Sequence, residues 1–151
     1  MAKKEITLSL LNVAVLSNRI LNACPANSKA DIAKDNIIYA DLLPHVDAFN
    51  TINKEGEEKR QVIFKQEITD KEKQAGIILL NTEVKRNQAK EVKVQYEVEI
   101  FTYLTSCFET GITNLIEADK KLEIDKRQFN AAFKIAIGQI DEALINALPI
   151  K

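Results

Sequence analysis

The sequence predicts an α+β fold that is mostly α-helical. Three observations carry this expectation. Most apolar residues recur at three- and four-residue intervals, one stretch near residues 91–103 alternates instead, and proline and capping signals separate the pieces. Of 151 residues, 46% are hydrophobic and 28% charged, which suits a packed globular chain and not a disordered one. A chain of this length buries roughly 70% of the surface its unfolded form exposes, so it needs no disulfide or metal to stay folded. Residues 1–151 therefore read as a single domain, with a sub-division near 105–124 between an N-terminal helical and strand part and a C-terminal helix.

An N-terminal helical hairpin comes first. Leu10, Val13, Ala14, Ser17, Ile20, Leu21 and Cys24 mark one face of a helix over about 9–24, while the alternation of residues 6–10 admits a short strand. Pro25 ends this helix by forcing Cys24 out of helical geometry. The second helix opens at Ser28, where Asp31 three residues on completes a capping box. Ala30, Ala33, Ile37 and Ala40 form one apolar stripe and Ile38, Leu42, Val46 and Phe49 its neighbour. Pro44 predicts a kink or break, and Gly56 is a second point where the helix can stop. Residues 53–73 carry charges of both signs that cancel, as a solvated face does. Periodicity leaves 62–68 open between helix and strand. Thr69 and Glu72 cap a central helix that runs through Ile77 and Leu80 to about Gln88.

The change of period follows. Val92, Val94, Tyr96, Val98 and Ile100 alternate with Lys93, Gln95, Glu97 and Glu99, placing five apolar side chains on one face of a strand over about 91–103. A lone strand leaves its backbone groups unpaired, so it needs a partner from 6–10, 62–68, 122–124 or another subunit. A long C-terminal helix is expected from Asp125, capped with Gln128, to Pro149. Phe129, Phe133, Ala136, Ile140, Leu144 and Ala147 form its stripe, Leu148 joins at the end, and Ile135 and Ile145 lie off it. Gly138 within it suggests a close crossing with another helix.

Charge and chemistry narrow the function. Lys plus Arg is 21 against Asp plus Glu 22, a net charge of −1, so no nucleic-acid partner is expected. The one basic run, 85–90, is flanked by Glu83 and Glu91. His45 is the only histidine, and with Asp41 and Asp47 it makes an incomplete metal set. Cys24 and Cys107 lack metal or redox spacing and read as reduced thiols. The four glycines are isolated, and no Gly-x-Ser-x-Gly elbow occurs. We therefore expect no enzyme, no catalytic or metal residues and no cofactor. No apolar run reaches the length of a membrane span, and polar residues interrupt 6–21 too often for a signal peptide, so the expected location is cytoplasmic.

The order of elements resembles a group of short helical proteins of unknown function encoded among the structural genes of tailed phages and prophages. The resemblance covers about residues 6–104. It rests on the leucine-rich first helix, the loop Cys24-Pro25-Ala26-Asn27-Ser28, a second helix with Ile32, Asn36 and Ile37, the Glu57-Glu58-Lys59-Arg60 stretch, the run Leu79-Leu80-Asn81-Thr82-Glu83-Val84 and the alternating strand. The chain departs from that group in the spacer after Val84 and in everything from Asp125 onward. The resemblance carries over no functional residue and implies virion association. Surplus apolar faces point the same way. Phe129, Phe133, Ile135, Ile140, Leu144 and Ile145, with the strand residues Val92, Val94, Tyr96, Val98 and Ile100, are the expected interface of a homo-oligomeric structural or assembly protein. An inhibitor or adaptor that binds a host protein leaves the same marks. A third reading is an enzyme or small-ligand binder using Asp41, His45 and Cys24.

Overall fold

The computed structural model describes residues 3–122 and 131–150. Its elements are β1 (Lys3–Ser9), α1 (Leu10–Val15), α2 (Lys29–Lys65), α3 (Asp70–Gln88), β2 (Glu91–Glu97), α4 (Val98–Lys120), α5 (Ala131–Ile145) and β3 (Leu148–Ile150). After α1 the helix widens into a π turn over Leu16–Ile20 and tightens into a 3-10 turn over Leu21–Ala23. The class is α+β and mainly helical, as the sequence predicts.

The strands form one antiparallel sheet in the order β2-β1-β3. Ile6 lies opposite Val94 and Leu8 opposite Val92, so the partner of the alternating strand is the N-terminal stretch. Ile6, Leu8, Val94 and Tyr96 turn into the core, while Glu5, Lys93 and Gln95 meet on the outer face. β3 has no counterpart in the sequence reading, which places Leu148 and Pro149 on the last helix. In the structure that helix ends at Ile145, and Glu5 pairs with Leu148. Pro149 opposes Lys4, whose backbone groups face β2, so the donor that proline lacks belongs to the outer edge of the sheet.

The strand is shorter than the alternation suggests. It stops at Glu97, and Val98 and Ile100 belong to α4. Ile100, Phe101, Leu104, Cys107, Phe108 and Gly111 are buried at helical spacing, and this stripe outweighs two further alternating positions. The segment 105–122 is mostly the body of this helix.

Ser28 caps α2 by accepting the Asp31 N–H at 3.1 Å, while Asp31 accepts the Asn27 N–H, one residue earlier than the usual box. Neither Pro44 nor Gly56 breaks this 37-residue helix, and 62–65 is helical. Pro44 is exposed, so water can take the carbonyl it frees. Ile38, Leu42 and Val46, spaced by four, hold the helix on the core from the other side. Thr69 caps α3, accepting the Glu72 N–H at 3.2 Å. In α5, Phe133, Ala136, Ile140 and Leu144 face inward, and the Arg19 guanidinium stacks 3.6 Å from the centre of the Phe133 ring. The predicted cap at Asp125 and Gln128, and Phe129, lie outside the described residues.

Two glycines separate close packing from open space. A Cβ on Gly111 would overlap the Ile20 carbonyl oxygen and lie 3.0 Å from its carbon, so α4 meets the end of the π turn backbone to backbone. A Cβ on Gly138 meets nothing within 4 Å, so the expected helix crossing is absent there among the described residues. Gly111→Ala should therefore lower stability by about 2–3 kcal/mol, because backbone must move to admit the methyl group. Gly138→Ala should raise it by about 1 kcal/mol through helix propensity alone. Urea unfolding followed by circular dichroism checks both signs.

Candidate functional site

At roughly 1.5 Å per residue, α2 extends about 55 Å, further than the core it covers. Its first half packs on the core through Ile38, Leu42 and Val46. Its second half pairs instead with α3 to make a helical arm. Small residues let the two helices approach. A Cβ on Gly56 would lie 2.9 Å from Val84 Cγ2, and one on Gly76 would lie 3.5 Å from Ile63 Cδ1. Polar contacts align the pair: Arg60 Nη2 donates to Asn81 Oδ1 at 3.0 Å and Gln88 Nε2 to Asn53 Oδ1 at 2.6 Å.

Within the arm's own contact surface only Gly56 and Leu80 are buried. Ile52, Ile63, Ile77 and Val84 are half-buried, while four further apolar residues point outward: Val62 is 58% exposed, Phe64 53%, Ile78 65% and Leu79 72%. Val62 and Leu79 flank a shallow groove of about 350 Å³ that also touches Ile63, Gly76 and Leu80. Lys59 and Glu83, 3.5 Å apart, lie along the same groove. From its charges alone, part of this region reads as a plain solvated face. The signal that such a reading passes over is Val62 and Phe64, which cannot both reach the seam with α3 that Gly56 and Ile63 occupy.

The residues expected to form an interface are mostly spent elsewhere. Val94, Tyr96, Ile100, Phe133, Ile140 and Leu144 lie in the core, and Val92 is half-buried against it. Phe129 lies outside the described residues. Val98, Ile135 and Ile145 remain at the surface, at 42%, 61% and 75% exposure.

Reactive groups gather at one place. The Cys24 thiol contacts that of Cys107, and Tyr103 donates to Asp35 Oδ1 at 2.8 Å beside them. Burial, and next the neighbouring thiol, push Cys24 up to about 12, so it stays protonated and is a poor nucleophile. Burial likewise raises Tyr39, Tyr96 and Tyr103. The Tyr96 hydroxyl has no hydrogen-bond partner among the described residues. Asp41, His45 and Asp47 do not converge, and no metal-binding cluster occurs among the described residues. No helix among them is long and apolar enough to cross a membrane. Comparison with protein-family models, with curated proteins and with solved structures finds no match to this chain.

Raised values fix a pH dependence. Each of these groups holds its proton to higher pH when folded than when unfolded. For Cys24 that contribution is complete below pH 9.0 and is lost as pH rises toward about 12. The melting temperature should accordingly fall as pH rises from about 9 toward about 12, and Tyr96→Phe and Cys24→Ala should each flatten that fall. At neutral pH, Tyr96→Phe should cost little, since it removes a buried hydroxyl that has no hydrogen-bond partner among the described residues. Thermal melts across the pH series read both effects.

Proposed function

We propose that the protein is a non-enzymatic structural or assembly protein that works through protein–protein contacts, with the α2–α3 arm as its contact surface and a second copy of the chain as its first partner. The observation that carries this reading is the row of exposed apolar side chains on the arm, where Val62 and Leu79 stand more than half in water.

Self-association is favoured because the groove is complementary to itself. It offers a protruding Leu79 and a shallow hollow lined by Val62, Ile63 and Leu80 on one face, so two arms related by a two-fold axis can each place a leucine in the other's hollow. Lys59 and Glu83 supply both signs of charge beside the apolar centre, so like charges need not be opposed across such an axis. The resulting contact is a four-helix bundle, a common way of covering two amphipathic hairpins. The resemblance to phage structural-gene products agrees with this role and suggests virion association; a cytoplasmic location is the plain alternative.

Light scattering coupled to size exclusion should give a dimer or higher oligomer at micromolar concentration. Val62→Glu and Leu79→Glu, both at exposed sites, should shift it to monomer with an unchanged circular dichroism spectrum. A wild-type chain that stays monomeric at high concentration overturns the proposal, as does an oligomer indifferent to both substitutions.

A further inference from the structure

β3 covers only part of the free side of β1. The Leu10 N–H donates to the Lys90 carbonyl at 3.0 Å, which continues the β1–β2 register. Alternation in an antiparallel ladder then directs the backbone groups of Lys4, Ile6 and Leu8 toward β2. Those of Lys3, Glu5, Thr7 and Ser9 face the other way. β3 takes Lys3 and Glu5, and no described strand continues past them to Thr7 and Ser9.

A cleft of about 640 Å³ opens along this stretch of edge. Thr7, Leu8 and Ser9 line one side, α5 contributes Ala132, Ile135 and Ala136, and Lys85 and Gln88 come from the end of α3. Its size falls within the usual range for ligand sites. Asn12 lines it too, at 5% exposure. Its Nδ2 donates to Gln139 Oε1 at 2.9 Å, which fixes the amide's orientation and leaves Oδ1 as an acceptor with no donor among the described residues. A buried carbonyl without a donor costs about 1–3 kcal/mol, a cost that a bound donor would cancel.

We propose that this cleft binds a short extended peptide with aliphatic side chains, lying beside residues 7–9 where β3 leaves the edge free. The strand edge offers alternating donors and acceptors, which an extended backbone matches and a simple hydrocarbon does not. The stretch 7–9 spans about 10 Å, the length of a three- or four-residue ligand. It turns the Thr7 backbone and the Ser9 N–H toward that ligand, while Leu8 faces β2 and the Ser9 carbonyl belongs to α1. Leu11, Ala132 and Ile135 give its side chains an aliphatic wall. Lys85 and Glu91 put one charge of each sign on the lining, which suits an uncharged segment better than a polyanion. Asn12 Oδ1 receives a peptide N–H. This site is separate from the groove between Val62 and Leu79 and stands or falls without it.

The test is a nitrogen-15 NMR titration of the whole chain with a pool of acetylated, amidated tetrapeptides of Ala, Val, Leu and Ser. Saturable shifts are expected at the amides of Thr7, Ser9, Asn12 and Gln139. Asn12→Leu removes the waiting acceptor, and Ala132→Trp fills the cleft from an exposed position; each should weaken binding by about tenfold or more while the dichroism spectrum is retained. Leucinamide alone, which cannot pair along a strand, should bind far more weakly than the tetrapeptides. Absence of shifts at millimolar peptide, shifts that survive both substitutions, or equal binding of leucinamide would each overturn the proposal.

Discussion

The pairing of Lys3–Ser9 with Glu91–Glu97 is the interaction on which the rest of the molecule depends. A single half-buried strand cannot exist alone, because every backbone group it takes from water must find a partner. Here the partner is the amino-terminal end of the chain, and the join determines where helices can leave. Ser9 ends β1 and caps α1 by accepting the Asn12 N–H, while Leu10 still donates to Lys90. α4 begins directly after Glu97, at the opposite end of the ladder. Both helices therefore cover the same apolar face of the sheet, and Ile6, Leu16, Ile20 and Leu104 become fully buried between them. The π turn after α1 fits this geometry. It brings the Ile20 carbonyl against Gly111, where a normal side chain would hold the two segments apart.

The core then closes early. α5 adds Phe133, Ile140 and Leu144, and β3 pins the segment after α5 to the same strand. By that point most apolar side chains of the sheet and of α1, α4 and α5 are used, with Val98, Ile135, Ile145 and Leu148 among those left at the surface. The second half of α2 and all but the end of α3 have nothing left to pack on except each other. Two helices can bury only one stripe apiece, so apolar residues off that stripe are left in water. The exposure of Ile78 and Leu79 follows from the core being full and not from any local peculiarity of α3.

Much of this was legible. Ser28 and Thr69 announce their helices because a cap is a local hydrogen bond, and locality is what sequence patterns record. The same holds for Val92, Val94 and Tyr96, whose alternation needs no knowledge of the partner. Other features were hidden for physical reasons. Val98 and Ile100 extend the alternation by coincidence, and only the longer stripe from Ile100 to Gly111 reveals the helix. Pro44 disrupts a free helix, but here three buried side chains opposite it hold the helix in place. β3 is three residues long and contains a proline, so it leaves no pattern, and its existence is decided wholly by the edge it meets. The candidate surface was least legible of all. Whether an apolar residue is core or surface depends on how many neighbours compete for the same interior, which no window of sequence contains.

Asn12 and Tyr96, whose buried polar atoms have no partner among the described residues, show why position decides meaning. Tyr96 Oη belongs to a side chain sealed in the core, with Ile6, Val94 and Leu104 in the same cluster. Its ring contributes apolar area, and the hydroxyl is an expense carried by the fold. Asn12 differs, although it is almost as deeply placed. Asparagine is a poor way to fill a core position on a helix, since leucine would gain both packing and helix propensity there. Its side chain is held by Gln139 from a different element, so its orientation is fixed before anything arrives. The residue also borders open volume, and because Oδ1 itself has almost no exposed surface, a donor from the cleft meets it only with a small shift of the lining side chains. An orphan that is oriented in advance beside a cleft differs from one that is enclosed on every side. That distinction, and not the count of unsatisfied atoms, directs attention to the edge of β1.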